Sequence, residues 1–197
     1  MATTTGERPL RADAQRNHER IVAAAGDAFA EQGLEVSMEE IARRAGVGLA
    51  TLYRRFASKQ ELVRAILDAR LGELEPTIAA AAAASDPWEG LLAGIRALLD
   101  LQARNMACVQ VLAQAGELAL LKRELSERVF DPLCGLFARA QASGQLRADL
   151  EPRELHLLIR MVATTSAHGG HHSNWDRYLT LLADALRTPE PTALPPL

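Results

Sequence analysis

The chain is poor in cysteine. Cys108 and Cys134 are its only two, and they form no CxxC pair. That excludes a disulfide scaffold and fits reduced thiols in a cytosol. Long apolar runs are also missing: the alanines at 79–84 fall well short of the ~20 residues a membrane span needs. The stretch from Met1 to Arg11 has no apolar signal core, so the expected location is cytoplasmic. No GxGxxG, P-loop, GxSxG or HExxH motif occurs, and no paired carboxylates sit in a glycine-rich context, so an enzyme reading has little to rest on. Strand-type alternation, internal repeats and heptad runs are likewise lacking. Lysine stands only at 59 and 122, which makes arginine the default base.

What remains is a 197-residue chain, 48% hydrophobic and 24% charged, an ordinary balance for a soluble globular protein. It is long enough to bury a core without disulfides or metal, and its length suits a small module joined to a larger helical domain. The net charge of −3 argues against a nucleic-acid partner until its distribution is considered. Arg43, Arg44, Arg54, Arg55, Lys59 and Arg64 face only Glu61 within their segment, whereas the chain from Leu71 onward holds 11 basic and 15 acidic residues. A basic segment on an acidic body fits a DNA reader whose remaining domain stays off the DNA. A preference for arginine over lysine accounts for the composition equally well.

Residues 1–12 are polar and lack apolar periodicity, which predicts a disordered arm. From about Asp13, Ile21, Ala25, Ala28 and Phe29 recur on one helical face until Gly33 ends it. Ser37-Met38-Glu39-Glu40 has the form of a capping box, with Glu40 reaching back to the Ser37 amide, and starts a helix with Met38, Ile41, Ala42 and Ala45 inward. Gly46-Val47-Gly48 supplies a tight turn, with Val47 as a plug between helices. A short helix from Leu49 to Phe56 follows, then a second capping box, Ser58-Lys59-Gln60-Glu61, opens a longer helix with Leu62, Ile66 and Leu74 inward. Two short helices joined by a glycine turn and held on a third make a helix-turn-helix, although an ordinary helical hairpin has the same spacing.

The run Ile41-Ala42-Arg43-Arg44-Ala45-Gly46-Val47-Gly48, followed by Thr51-Leu52-Tyr53-Arg54-Arg55-Phe56 and Ser58-Lys59-Gln60-Glu61-Leu62, closely resembles the TetR signature "IA..AGVs.gTLY.hF.sKe.L". Upstream, Phe29-Ala30-Glu31-Gln32-Gly33 matches the glycine-ended helix of that family, and the resemblance covers about Asp13 to Ala69. It implies an all-α protein: a DNA-binding head over residues 13–57, a helical effector-binding and dimerisation domain over 58–187, and a flexible, proline-rich tail over 188–197. It also implies that Tyr53 and Lys59 meet phosphates, with Thr51 and Ser37 adding hydroxyl contacts.

Arg43, Arg44 and Arg55 add charge to this surface or are merely solvated. Base readout falls to Gly48, Leu49, Ala50, Thr51 and Arg54, of which only Arg54 can make a bidentate contact to guanine. Gly48 stands where the family often has serine, which removes a side-chain cap and one base contact. Readout is therefore sparse, and DNA shape contributes. Arg8, Arg11 and Arg16 reach the adjacent minor groove or lie in an unused arm.

Helical patterning continues to the end of the chain. Asp86-Pro87-Trp88 starts a helix with Leu91, Leu92, Ile95, Leu98 and Leu99 inward, and a short piece follows near Met106 to Gln114. A longer helix from about Leu118 to Ala142 is kinked near Pro132. Glu151-Pro152 opens a helix carrying Leu155, Leu158, Ile159 and Val162; Trp175 to Leu186 carries Tyr178, Leu179, Leu182 and Leu186. By resemblance, these last two helices pair with their mates in a homodimer that reads a palindromic double-stranded operator as a repressor. Effector pockets in the family lie among the middle helices. That makes Met106, Phe130, Phe137, His156 and Met161 candidate linings for a small apolar effector, each equally readable as plain core. His168, His171 and His172, with His156, flank a Gly-Gly loop without a nearby cysteine, and a solvated loop accounts for them better than zinc. Neither a metal nor a cofactor is expected, and no neighbour of either cysteine is suited to a redox switch.

Overall fold

A computed structural model describes residues 7–116, 118–167, 175–187 and Leu194. The histidines at 168, 171 and 172 and nearly all of the expected tail lie outside these residues. Among the described residues every regular element is helical.

Helix α1 spans Glu7–Gln32, so it begins six residues before the expected start at Asp13. Pro9 explains how a polar, proline-bearing stretch joins a helix. In the first turn the missing N–H has no acceptor to lose, and the fixed φ is already helical. The helix ends at Gly33, whose φ of +67° opens a short 3₁₀ turn, Gly33–Glu35.

Helix α2 is Met38–Arg44, capped by Ser37, whose Oγ accepts from the Glu40 amide at 3.2 Å. Only half of the expected capping box forms. The Glu40 carboxylate turns away from the Ser37 amide and takes hydrogen bonds from Arg43 and Arg44 instead, because two guanidiniums outcompete one amide. At the other end Gly46 takes φ +62°, with Gly46 N–H donating to Arg43 O (3.2 Å) and Val47 N–H to Ala42 O (3.0 Å). This Schellman stop releases the chain into α3, Leu49–Arg55.

Helix α4, Lys59–Ala82, is capped by Ser58, and Glu61 reaches back one residue further than expected, to the Ala57 amide at 2.7 Å. It runs through Pro76 without ending.

Helix α5, Pro87–Gln114, starts where Asp86 accepts from the Trp88 and Glu89 amides. The separate piece expected near Met106 is present: Asn105, with φ −120° and ψ 17°, is non-helical and divides α5 into two helical stretches across a kink. Helix α6, Leu118–Leu125, passes through a π-helical segment, Ser126–Phe130, into α7, Asp131–Ala142. The expected kink near Pro132 therefore takes the form of a widened turn just before it. Proline cannot donate to the carbonyl one turn back, so the backbone there is free to regroup. Helices α8, Pro152–Ala167, and α9, Trp175–Leu186, pack against each other.

The chain forms two compact units. The first holds the described residues up to Arg70 together with Asn105–Leu118. The opening turns of α4 belong to it because Leu62, Val63, Ile66 and Leu67 are buried, and Gly26 of α1 faces Ile66 and Arg70. Its other buried residues include Ile21, Phe29, Ile41, Leu52, Phe56 and Cys108.

The second unit, Leu71–Arg104 and the described residues from Ala119 on, has its own apolar core around Trp88, Leu98, Leu133, Phe137 and Ile159. Here α5 approaches its neighbours closely at two glycines: a Cβ on Gly90 would lie 2.5 Å from the Ala81 carbonyl oxygen, and one on Gly94 would run into Leu133 Cδ2. On α9, Leu179, Ala183 and Leu186 form the buried stripe, and Tyr178, one residue before it, lies to one side and is 44% exposed.

Candidate nucleic-acid interface

The geometry of α3 follows from two anchors. Leu52 and Phe56, four residues apart, are buried, which turns Ala50, Tyr53 and Arg54 to solvent, with Tyr53 45% exposed. Leu49 and Thr51 lie at the edge of that face, half-buried. Arg54 has no hydrogen-bond or ion-pair partner among the described residues, so its whole donor fork is available. Gly48 caps α3 through its carbonyl alone, at φ −69° and ψ 145°, an extended backbone open to any residue. Contrary to the expectation of a two-glycine turn, only Gly46 needs to be glycine here. Ser37 is exposed and uses its hydroxyl oxygen as the α2 cap, which leaves the hydroxyl proton free to donate outward.

The rest of the basic segment is largely engaged within the protein. Arg44, read from the sequence as added surface charge or a solvated residue, donates to Glu31 at 2.6 Å and to Glu40 at 2.7 Å, tying α2 to α1. Arg43 forms a two-pronged pair with Glu40 at 2.7 and 2.8 Å but stays exposed. Hydrogen bonds from Arg43 and then Arg44 hold the Glu40 carboxyl at about 2, and the same bonds raise both guanidiniums.

Lys59 points its ammonium at the carbonyls of Leu34 (2.6 Å) and Val36 (2.8 Å), with the Phe29 ring 5.3 Å away. Two of its three N–H donors are therefore spent inside the protein. Arg55 Nε donates to His18 Nδ1 at 3.2 Å, a contact from α1 that no sequence spacing signals.

The expected effector linings do not converge on one pocket. Phe137 is buried in the core of the second unit; Phe130 packs against that core and meets the exposed His156 edge-on at 6.2 Å. Met161 is 64% exposed, and Met106, also exposed, belongs to the first unit. A cavity of about 10 Å³, one water wide, lies instead among α5, α8 and α9, lined only by apolar side chains that include Trp88, Leu92, Leu155, Leu158 and Leu182. No group of three or more His, Cys, Asp or Glu suited to a metal occurs among the described residues, and no helix there is long and apolar enough to cross a membrane.

Residues 21–66, which carry α2, α3 and their two flanking anchors, match the family described as bacterial regulatory proteins, tetR family. Over nearly the whole chain the fold is similar to the crystal structure of the TetR transcription regulatory protein from Mycobacterium vanbaalenii: 34% identity, 91% of this chain and 100% of that one covered, TM-score 0.67. The chain belongs to the TetR family. A second TetR regulator structure, from Streptomyces coelicolor, is 29% identical with TM-score 0.66, covering 89% of this chain and 99% of the other. An HTH-type transcriptional regulator of Staphylococcus aureus (strain USA300) is 44% identical over 54 residues, 27% of this chain and 29% of that relative's length. TetR-family likeness is thus strongest in sequence over the head and extends through the helical remainder as fold.

Proposed function

We propose that the protein is a transcriptional repressor that binds a palindromic operator as a homodimer and is released from it by a small apolar effector. The observation that carries this reading is the solvent face of α3. An unpartnered Arg54, with Ala50, Thr51 and Tyr53 beside it, projects from a short helix whose other side is locked by Leu52 and Phe56. A locked helix with a free guanidinium suits major-groove insertion, where arginine pairs with guanine O6 and N7. Ser37, Thr51, Tyr53 and Arg55 would hold the sugar-phosphate backbone, which positions the head without reading sequence.

Dimerisation through α8 and α9 is supported by Leu157 (49% exposed), Met161 (64%), Tyr178 (44%) and Leu181 (58%) on these two packed helices. Large apolar side chains left exposed on packed helices are candidates for cover by a partner. The α5/α8/α9 cavity has an apolar lining but is only one water wide, so an effector there would have to part these helices to enter.

The test is a mobility-shift titration on the intergenic DNA upstream of the gene, repeated across a salt series. Affinity should fall linearly on log–log axes, by about 0.9 per neutralised phosphate. Arg54→Ala should weaken the specific complex by about 10- to 100-fold while sparing binding to unrelated duplex. A wild-type protein that binds no duplex at low salt would refute the proposal.

A further inference from the structure

The C-terminal end of α3 meets α1 at His18, through two side-chain contacts. His18 stacks at a 31° tilt on Phe56, with ring centroids 5.2 Å apart, and its Nδ1 accepts from Arg55 Nε at 3.2 Å. An acceptor at Nδ1 requires a neutral imidazole with its proton on Nε2. The surroundings favour that form: partial burial and then the Arg55 charge lower the His18 pKa below 6.5, against a smaller opposing effect of Glu19. Only the Nε of Arg55 is engaged, so both Nη groups, with four N–H donors, remain available on an exposed residue.

Resting on the DNA-binding reading above, we propose that His18 is a positioning residue. Its neutral ring holds the Arg55 guanidinium, before DNA arrives, in the orientation from which its Nη groups meet a backbone phosphate. An arginine on the surface otherwise has to freeze its long side chain when it binds, and that ordering weakens the complex. His18 removes part of the cost by setting one end of the fork in advance. It acts on affinity for duplex of any sequence, because phosphate contacts carry no base information.

The experiment uses full-length protein and the tightest duplex recovered by wild type from a randomised pool, with dissociation constants measured by fluorescence anisotropy at pH 7.5. His18→Phe keeps an aromatic ring on Phe56 but offers Arg55 no acceptor; His18→Gln places its amide near the Nε2 position and also leaves the δ position empty. Both are expected to weaken binding by about 3- to 10-fold. His18→Asn restores an oxygen at the δ position and is expected to stay within about twofold of wild type. In an Arg55→Ala background, His18→Phe should add nothing.

Equal weakening by His18→Asn and His18→Phe, or a His18→Phe effect that persists without Arg55, overturns the positioning role while leaving DNA binding intact. Failure of wild type to select any duplex overturns the DNA-binding reading itself.

Discussion

Lys59→Met separates two roles for one ammonium group. The substitution keeps an unbranched apolar stem beside Phe29 and deletes the charge, so it removes the hydrogen bonds to Leu34 O and Val36 O together with the weaker ammonium contact to the Phe29 ring. Each hydrogen bond to a charged group contributes about 1.5–3 kcal/mol net. Lys59 is half-buried, however, and water reaches the freed carbonyls once the ammonium is gone, so the pair together is worth about 2 kcal/mol. In a chain of this size that lowers the thermal midpoint by about 4–8 °C.

Calorimetry or circular dichroism reads the midpoint; operator titrations across a salt series read the phosphate contact. The pinning role predicts a lower midpoint and an unchanged salt slope. An unchanged midpoint with the slope reduced by about 1 would refute this reasoning and put the ammonium on a phosphate, the role the TetR resemblance implies.

Three further outcomes follow from the geometry. Gly48→Ser should stabilise the fold by a few tenths of a kcal/mol in chemical denaturation, because a Cβ there meets nothing nearer than Thr51 Oγ1 at 3.9 Å and a serine can cap α3; destabilisation would show that the turn needs glycine after all. Gly90→Ala should cost about 1–3 kcal/mol against the Ala81 carbonyl, whereas Gly135→Ala, with open space around it, should gain up to about 1 kcal/mol, and equal effects would contradict the close α5 packing. A thiol reagent at pH 8 should label Cys134 first and Cys108 only on unfolding, since burial pushes the Cys108 thiol to about 11; mass spectrometry of partially labelled protein decides it.

The local devices of the fold were legible because their partners lie within a turn of each other. Ser37, Ser58 and Asp86 start helices where the sequence places caps, Gly33 and Gly46 stop them, and the buried stripes of α2 through α5 were readable from helical spacing. The site was legible only in outline. The exposure of Tyr53 and Arg54 follows from Leu52 and Phe56, but what each remaining cation does depends on residues far along the chain. Arg44 meets Glu31 at a separation of 13 residues, Lys59 meets Leu34 at 25, and Arg55 meets His18 at 37. Spacing on one helix cannot announce such pairs. Reading six basic residues as one patch therefore overstated the charge free to meet DNA. The effector linings failed for a related reason: methionines and aromatics mark apolar surface, and only packing separates core, such as Phe137, from exposed residues such as Met161.

The widened turn at Ser126–Phe130 bears on how this protein can change length. Leu121, Leu125, Val129 and Leu133 stand four apart, and in a plain α-helix each such step overshoots a turn by about 40°, or about 120° over three steps. A π turn holds one surplus residue and absorbs roughly one residue's rotation, about 100°, so the buried stripe of α6 carries straight into α7. That surplus residue is an insertion already accommodated. Removing one residue within Ser126–Phe130 would restore an ordinary helix and leave both flanks facing as they do now. The same deletion a turn earlier or later would leave the surplus residue in place and turn the residues on one side of the cut by about 100° against those on the other. Length variation among relatives in this helix should therefore collect at these five positions.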